Sequence, residues 1–247
     1  MLERPKILRG AFVEYGLSLP PLFVVFQFNP VELSRSRSLS FAAQGAQIDS
    51  PPAETESDVA RQQRIARRQQ SLREWHQREF DGDDLLAIQQ LQEVTIQEES
   101  ISFELRLDAT DKLDKGDALT EQFGILPKLA TLELMMHPKG DSLLGQAADA
   151  LLGLDAQGFS FTKRPNPPLI LFIWGRTRVL PVNIGSMSIT ETEFSTSLHP
   201  IRATVSVSLT VIEGKSVPYL YSKAVKEAMS VLNLANITEI ANIVIPG

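Results

Sequence analysis

The chain contains no cysteine and only three histidines among its 247 residues. The missing cysteines exclude disulfides, thiolate nucleophiles and cysteine-ligated zinc sites. His76, His137 and His199 are not spaced from one another, or from a carboxylate, in a metal-ligand pattern such as HExxH. We therefore expect no enzymatic activity, no bound metal and no other cofactor.

Long hydrophobic runs are also missing. No window approaches the roughly 18 consecutive apolar residues that indicate a membrane-spanning helix, so we expect no membrane insertion. The opening residues, MLERPKILRG, lack the apolar centre of a signal peptide, which indicates residence in the cytoplasm. Positive charge is in the minority, with 24 Lys and Arg against 30 Asp and Glu and a net charge of −6. This balance disfavours a nucleic-acid partner.

Alternation of apolar and polar residues predicts a mainly β fold with flanking helices. Residues 167–213 predict three consecutive strands, residues 94–108 predict a further strand, and residues 6–13 and 23–28 predict a hairpin. The residues predicted to face the core are Ile101, Phe103, Leu105, Leu107, Val205, Val207, Leu209 and Val211. Predicted helices cover residues 118–136, with a break near Pro127, and residues 221–234.

A predicted strand over residues 33–41 has serines on one face and Arg35, Arg37, Leu39 and Phe41 on the other. A face that mixes charge with large apolar groups suits a contact between subunits better than a closed core. We therefore expect the two arginines to lie near a seam between subunits.

The acidic residues that we expect opposite these arginines are Glu104 and Asp108, on the polar face of the strand over residues 94–108. Asp108 also begins a series of aspartates that recur every third residue. This series lacks the register of an EF-hand and contains Lys112 and Lys115, so residues 111–117 are predicted as a solvated loop rather than a calcium site.

Residues 44–92 differ in composition from the strands on either side and are predicted as a linker followed by a helix over residues 58–80. The apolar stripe of this helix is too thin for a core helix, so Trp75 is predicted to anchor a contact with another protein. Five arginines lie between residues 61 and 73 with no acid among them. Nucleic-acid or regulatory binding by this helix is therefore the alternative function.

Four stretches, in this order, resemble the tube-domain proteins of contractile injection systems, the phage-tail-like devices that bacteria encode. They are FQFNPVELSRSRSLSF at 26–41, SFELRLDATD at 102–111, LILFIWG at 169–175 and MSITETEFSTSLHPIRATVSVSLTVIE at 187–213. In that family an FNP-E-L stretch opens the domain, an apolar strand ends in WG, and a strand with alternating valines closes it.

The resemblance implies a tail-tube β-sandwich or barrel at residues 1–213, interrupted by a helical insertion at 44–92 and followed by a helical extension at 214–247. Many family members carry a C-terminal LysM module, for which this extension is too short. The implied role is a baseplate or inner-tube adaptor that forms a ring, expected to be a hexamer, between spike and inner tube. Its implied partners are further copies of itself, the inner tube protein, the spike protein and other baseplate components. The implied location is the cytoplasm during assembly and the injection particle afterwards.

Overall fold

The structure is a computed structural model that describes residues 8–16, 21–43, 62, 72–79, 85–138 and 166–235. The chain divides into two compact units, a smaller one at Arg37–Glu99 and a larger one at Met1–Ser36 and Ser100–Gly247. The predicted division into a β domain, an insertion at 44–92 and an extension at 214–247 stays a prediction. The smaller unit contains the residues of that insertion together with a strand on each side.

The frame of the larger unit is a curled, seven-stranded antiparallel sheet that forms a half-barrel, so the predicted mainly β fold is confirmed. Its strands are β1 (Ala11–Glu14), β2 (Phe23–Val25), β3 (Leu33–Ser36), β6 (Ser100–Asp108), β7 (Ile170–Trp174), β8 (Arg178–Phe194) and β9 (Pro200–Val211). Across the sheet their order is β2-β1-β7-β8-β9-β6-β3. The predicted hairpin of β1 with β2 and the three consecutive strands after residue 167 are all present.

The core of the larger unit lies on one face of this sheet. All eight residues predicted to face the core from β6 and β9 are buried. They pack with three further phenylalanines, Phe12, Phe26 and Phe172. The ring centroids of these three and of Phe103 lie 5.1–6.4 Å apart. Burying such rings removes a large apolar area from water, which is the main stabilising contribution to a core of this kind.

The smaller unit contains a two-stranded antiparallel sheet of β4 (Leu39–Ala43) and β5 (Gln92–Ile96), with helices α1 (Leu72–Glu79) and α2 (Leu85–Leu91). The prediction of one continuous strand over residues 33–41 was wrong. β3 pairs with β6 only as far as Ser36 and Ser100, and β4 then takes β5 as a new partner. Within the predicted helix 58–80, residue 62 and α1 are helical, and the remaining residues lie outside the described part.

Two short helices and a longer one follow β6. They are α3 (Thr110–Leu113), α4 (Ala118–Phe123) and α5 (Leu126–Leu134). The predicted loop at 111–117 was therefore partly wrong, because it contains most of α3. The predicted helix at 118–136 is interrupted, but at Gly124 rather than Pro127. Gly124 has φ 57°, and a Cβ there would lie 2.2 Å from the carbonyl oxygen of Pro200. Pro127 is tolerated because the first turn of α5 does not need its N–H.

Helix α6 (Val217–Leu232) begins earlier than the predicted helix at 221–234. The buried hydroxyl of Ser222 fixes it against the start of β8, because it accepts a bond from the N–H of Val179 (2.9 Å) and donates one to the carbonyl of Val179 (2.8 Å). None of the described helices is long and apolar enough to cross a membrane.

Candidate functional site

An open trough of about 1180 Å³ lies on the larger unit. Its floor is formed by β3, β6, β9 and β8, and residues 28–32 also line it. Its polar lining residues alternate along the strands with the buried core residues, so the trough occupies the sheet face that points away from the core. Small hydroxyl side chains line most of the floor: Ser34, Ser102, Ser186, Ser188, Thr192, Thr204, Ser206 and Ser208.

Charged side chains gather where β6 ends and β9 begins, at one end of the trough. Arg202 donates from Nε to Asp108 Oδ2 (2.8 Å) and from Nη1 to Glu193 Oε1 (2.6 Å). It also donates from Nη2 to the hydroxyl of Thr110 (3.3 Å). Burial raises the pKa of Asp108, but hydrogen bonds from Thr110 and Arg202 outweigh it and hold that pKa below its usual value. Asp108 and Arg202 therefore remain ionised and paired near neutral pH.

The trough offers many hydrogen-bonding groups, but the described residues that line it include no histidine. In the described part of the chain, no group of three or more His, Asp or Glu residues could hold a metal ion. The acidic residues that line the trough are Glu32, Glu104 and Asp108, and Glu104 stands directly opposite Ser206 on β9. The arrangement therefore suits contact with another molecule through many weak polar groups.

Within the described part of the chain, the strands that form the trough floor have open edges on both sides. β8 is 17 residues long, and β7 pairs only with its first part, Arg178–Val182. Among the described strands, residues 183–194 of β8 therefore pair with β9 alone. On the other side, β3 pairs with residues 100–103 of β6, and residues 104–107 of β6 likewise pair with β9 alone. Unpaired backbone groups along such edges are templates for pairing with another chain.

Three of the predicted interface residues lie in the larger unit. Arg35 is exposed on β3 and stands opposite the core residue Ile101, so it lies on the core side of the sheet at the open edge. Glu104 is exposed on the trough floor. Asp108 lies on the same face but is bound by Arg202 within the chain. The structure therefore does not bring Arg35 and Asp108 together in one subunit.

The other two predicted interface residues lie in the smaller unit. Arg37 donates from Nη2 to Oε2 of the buried residue Glu99 (3.3 Å). Trp75 lies in α1, but its side chain is outside the described part of the structure. Most of the arginine-rich stretch at 61–73 is outside it as well, so the alternative function of that stretch stays a prediction.

Sequence reasoning missed two side chains that hold the trough together. One is Arg202. The other is Gln27, whose Nε2 donates to the carbonyl of Asp108 (2.7 Å) while its Oε1 accepts from the N–H of Asp108 (3.2 Å). Gln27 thereby ties the segment after β2 to the end of β6. No local pattern could have revealed this bond, because 81 positions separate the two residues.

Comparison with models of known protein families finds no match for this chain, and no curated protein matches it either.

Proposed function

We propose that the chain is a structural baseplate or inner-tube adaptor of a phage-tail-like contractile injection system. In this role it forms a ring that joins the spike to the inner tube. The observation that carries the proposal is the pair of open strand edges on either side of the hydroxyl-lined trough floor. The four sequence stretches that resemble tube-domain proteins give the ring its biological setting.

The two open edges differ in sequence and belong to different strands. Joining the β8 edge of one subunit to the β3 and β6 edge of the next is therefore a head-to-tail contact, which closes into a ring when the rotation between subunits allows it. Each seam would pair backbone groups that water otherwise solvates. The hydroxyl-lined faces of successive subunits would then form one continuous polar surface, suited to the lumen of a tube. We expect the closed ring to be a hexamer.

The expected neighbours along the ring axis are the inner tube protein on one side and the spike protein on the other, with other baseplate components around them. We expect the protein to assemble in the cytoplasm and then to become part of the injection particle.

Cross-linking through introduced cysteines tests the head-to-tail seam, because the chain has no cysteine of its own. Thr192 on β8 and Ser34 on β3 both line the trough, so their replacements would lie on the same side of a seam. Within one subunit they are at least three strand spacings apart, about 14 Å, which is too far for a reagent of about 8 Å to bridge. The variant carries Thr192→Cys together with Ser34→Cys.

We expect a short bis-maleimide to convert this double variant into a ladder of covalent oligomers that ends at the closed ring. Each single-cysteine variant is the matched control and should remain monomeric under denaturing conditions. Dimers formed equally well by a single variant would indicate a two-fold contact between like edges. That result, or the absence of any ladder from a folded double variant at assembly concentrations, would reject the proposed ring.

A further inference from the structure

The hairpin that joins β8 to β9 presents two large apolar side chains at its tip. Leu198 is 81% exposed and Phe194 is 51% exposed. Leu198 also has a backbone φ of 62°, in the left-handed region that leucine rarely adopts. A strained backbone of this kind persists only where the surrounding structure holds it, and such residues are concentrated at functional surfaces. We call Phe194 and Leu198 the apolar tip.

Hydrogen bonds hold the hairpin in this conformation. The hydroxyl of Ser195 accepts from the N–H groups of Ser197 (3.3 Å) and His199 (3.1 Å). Across the turn, the N–H of Ser195 donates to the carbonyl of His199 (2.8 Å), and the N–H of Leu198 donates to the carbonyl of Ser195 (2.9 Å). The ring of His199 also lies against that of Phe123, with centroids 6.1 Å apart. The loop is therefore built to hold Leu198 in an exposed position.

A second exposed apolar pair lies beside the opposite edge of the trough floor. Val31 is 98% exposed and Phe28 is 47% exposed, and both line the trough. Gln27 binds the backbone at the end of β6, and Leu33 begins the pairing of β3 with β6. Phe28 and Val31 therefore lie beside residues 104–107 of β6, the part of that strand whose outer edge is open within the described residues. We call Phe28 and Val31 the rim pair.

Strand register places the apolar tip and the rim pair at the same end of the sheet. Thr192 of β8 and Asp108 of β6 both stand opposite Arg202 of β9, which makes one row of residues across the sheet. Phe194 lies two residues beyond this row on β8. On the other side, Phe28 follows the residue that binds the backbone of Asp108. A head-to-tail seam that continues this row from one copy to the next therefore brings the tip of one copy to the rim pair of the other.

We propose that the apolar tip of one copy packs against the rim pair of the next copy and stabilises the seam at its charged end. This inference rests on the proposed ring and adds an apolar contact beside the paired backbones. Burying apolar side chains that water otherwise surrounds favours association. Two side chains on each copy cover far less than the roughly 1,000 Å² that a specific interface needs, so the contact suits an extension of a larger seam rather than a separate partner.

Substitution of Leu198 tests the proposal in the Thr192→Cys, Ser34→Cys chain, whose cross-linked ladder reports the seam. Leu198→Asn removes the apolar contact, and asparagine adopts a left-handed backbone more readily than leucine. We therefore expect no loss of thermal stability in the dilute, monomeric chain. The chain concentration that gives half of the maximal ladder should rise about tenfold, as expected for the loss of one buried leucine. The control Leu198→Met keeps an apolar side chain and should leave that concentration within about twofold.

Cross-linking between two different single-cysteine chains tests the contact directly. Chains carrying Leu198→Cys are mixed with chains of a different size that carry Val31→Cys. Each chain then has one cysteine, so any covalent product is a dimer of two copies. We expect the short bis-maleimide to give mainly the mixed dimer. A predominance of dimers of Leu198→Cys with itself would indicate contact between two tips and would overturn the proposal.

The outcomes distinguish a failure of the tip contact from a failure of the ring. A ladder from the Thr192→Cys, Ser34→Cys chain without the mixed dimer would overturn the tip contact and leave the ring standing. The mixed dimer without a ladder would support the tip contact and reject the ring, and the absence of both products would reject both. Equal ladders from Leu198→Asn and Leu198→Met would also overturn the tip contact. So would a lower thermal stability of monomeric Leu198→Asn, because Leu198 would then act within its own subunit.

Discussion

Arg202 determines the arrangement at the charged end of the trough, because its guanidinium contacts groups from three segments. It donates to Asp108 on β6, to Glu193 on β8 and to Thr110 in α3. Strand register makes this possible, since Asp108 and Arg202 stand directly opposite each other in the sheet. A planar fork of fixed donors suits several acceptors at once better than a lysine ammonium would.

Asp108→Asn should lower the free energy of unfolding at pH 7 by about 0.5–1 kcal/mol, the value of a partly screened charge pair. The pKa of Asp108 is lowered in the folded chain from its ordinary 3.8. Its carboxylate therefore stabilises the fold above about pH 4, and that stabilisation is lost as the pH falls through the folded-state pKa. Urea unfolding should show a difference between the unaltered chain and the variant that shrinks from pH 7 to pH 3.

Asp114→Asn is the matched control for this change, because Asp114 is exposed and lies outside the network around Arg202. It should leave the urea midpoint nearly unchanged at both pH values. An equal loss in the two variants would mean that the Arg202 network contributes nothing specific to stability.

At the scale of elements, the alternation of apolar and polar residues predicted the core face of a strand correctly where two strands stay paired along their length. β6 and β9 are paired over nine residue pairs, and their predicted core faces are correct. Alternation failed at residues 33–41 because the partner changes from β6 to β5 between Ser36 and Leu39, and nothing in the local pattern marks that change. The break at Gly124 was missed for a related reason, since the close approach of Pro200 comes from a distant part of the chain.

In the candidate site, too, some features follow from local sequence patterns and others depend on distant parts of the chain. The polar side chains of the trough floor follow from strand alternation, so Glu104 and Asp108 could be placed on one face from the sequence. Gln27 and Arg202 could not be placed beside Asp108 from the sequence, because these contacts join positions that are 81 and 94 residues apart.

Helix α6 provides a test of how an element is attached to the sheet. Ser222→Ala should lower the free energy of unfolding by about 1–2 kcal/mol, because it leaves the N–H and the carbonyl of Val179 without their hydrogen-bond partner. Ser230→Ala, on the exposed part of the same helix, should be neutral or slightly stabilising. Thermal unfolding of both variants makes the comparison, and a loss of equal size in both would contradict the proposed anchoring role of Ser222.

At the scale of the whole molecule, the proposed ring determines which charges meet across a seam. Arg35 and Glu104 both lie beside the β3 and β6 edge, so a head-to-tail seam keeps them on the same side. The opposite edge, on β8, carries Glu191, which is exposed and stands opposite the core residue Ala203. Glu191 therefore lies on the core side of the sheet, as Arg35 does, and is the carboxylate that the seam would bring to Arg35.

Charge exchange tests this pairing in the full chain. Arg35→Glu should leave the fold intact, as judged by circular dichroism, yet reduce the number of rings counted by negative-stain electron microscopy, because two carboxylates would then face each other across each seam. Adding Glu191→Arg to that variant should restore the rings, since the pair is rebuilt with its charges reversed. Adding Glu104→Arg instead should not restore them, because Glu104 lies beside the same edge as Arg35. Rescue by Glu104→Arg and not by Glu191→Arg would show that like edges meet, and rings unaffected by Arg35→Glu would place the seam elsewhere on the molecule.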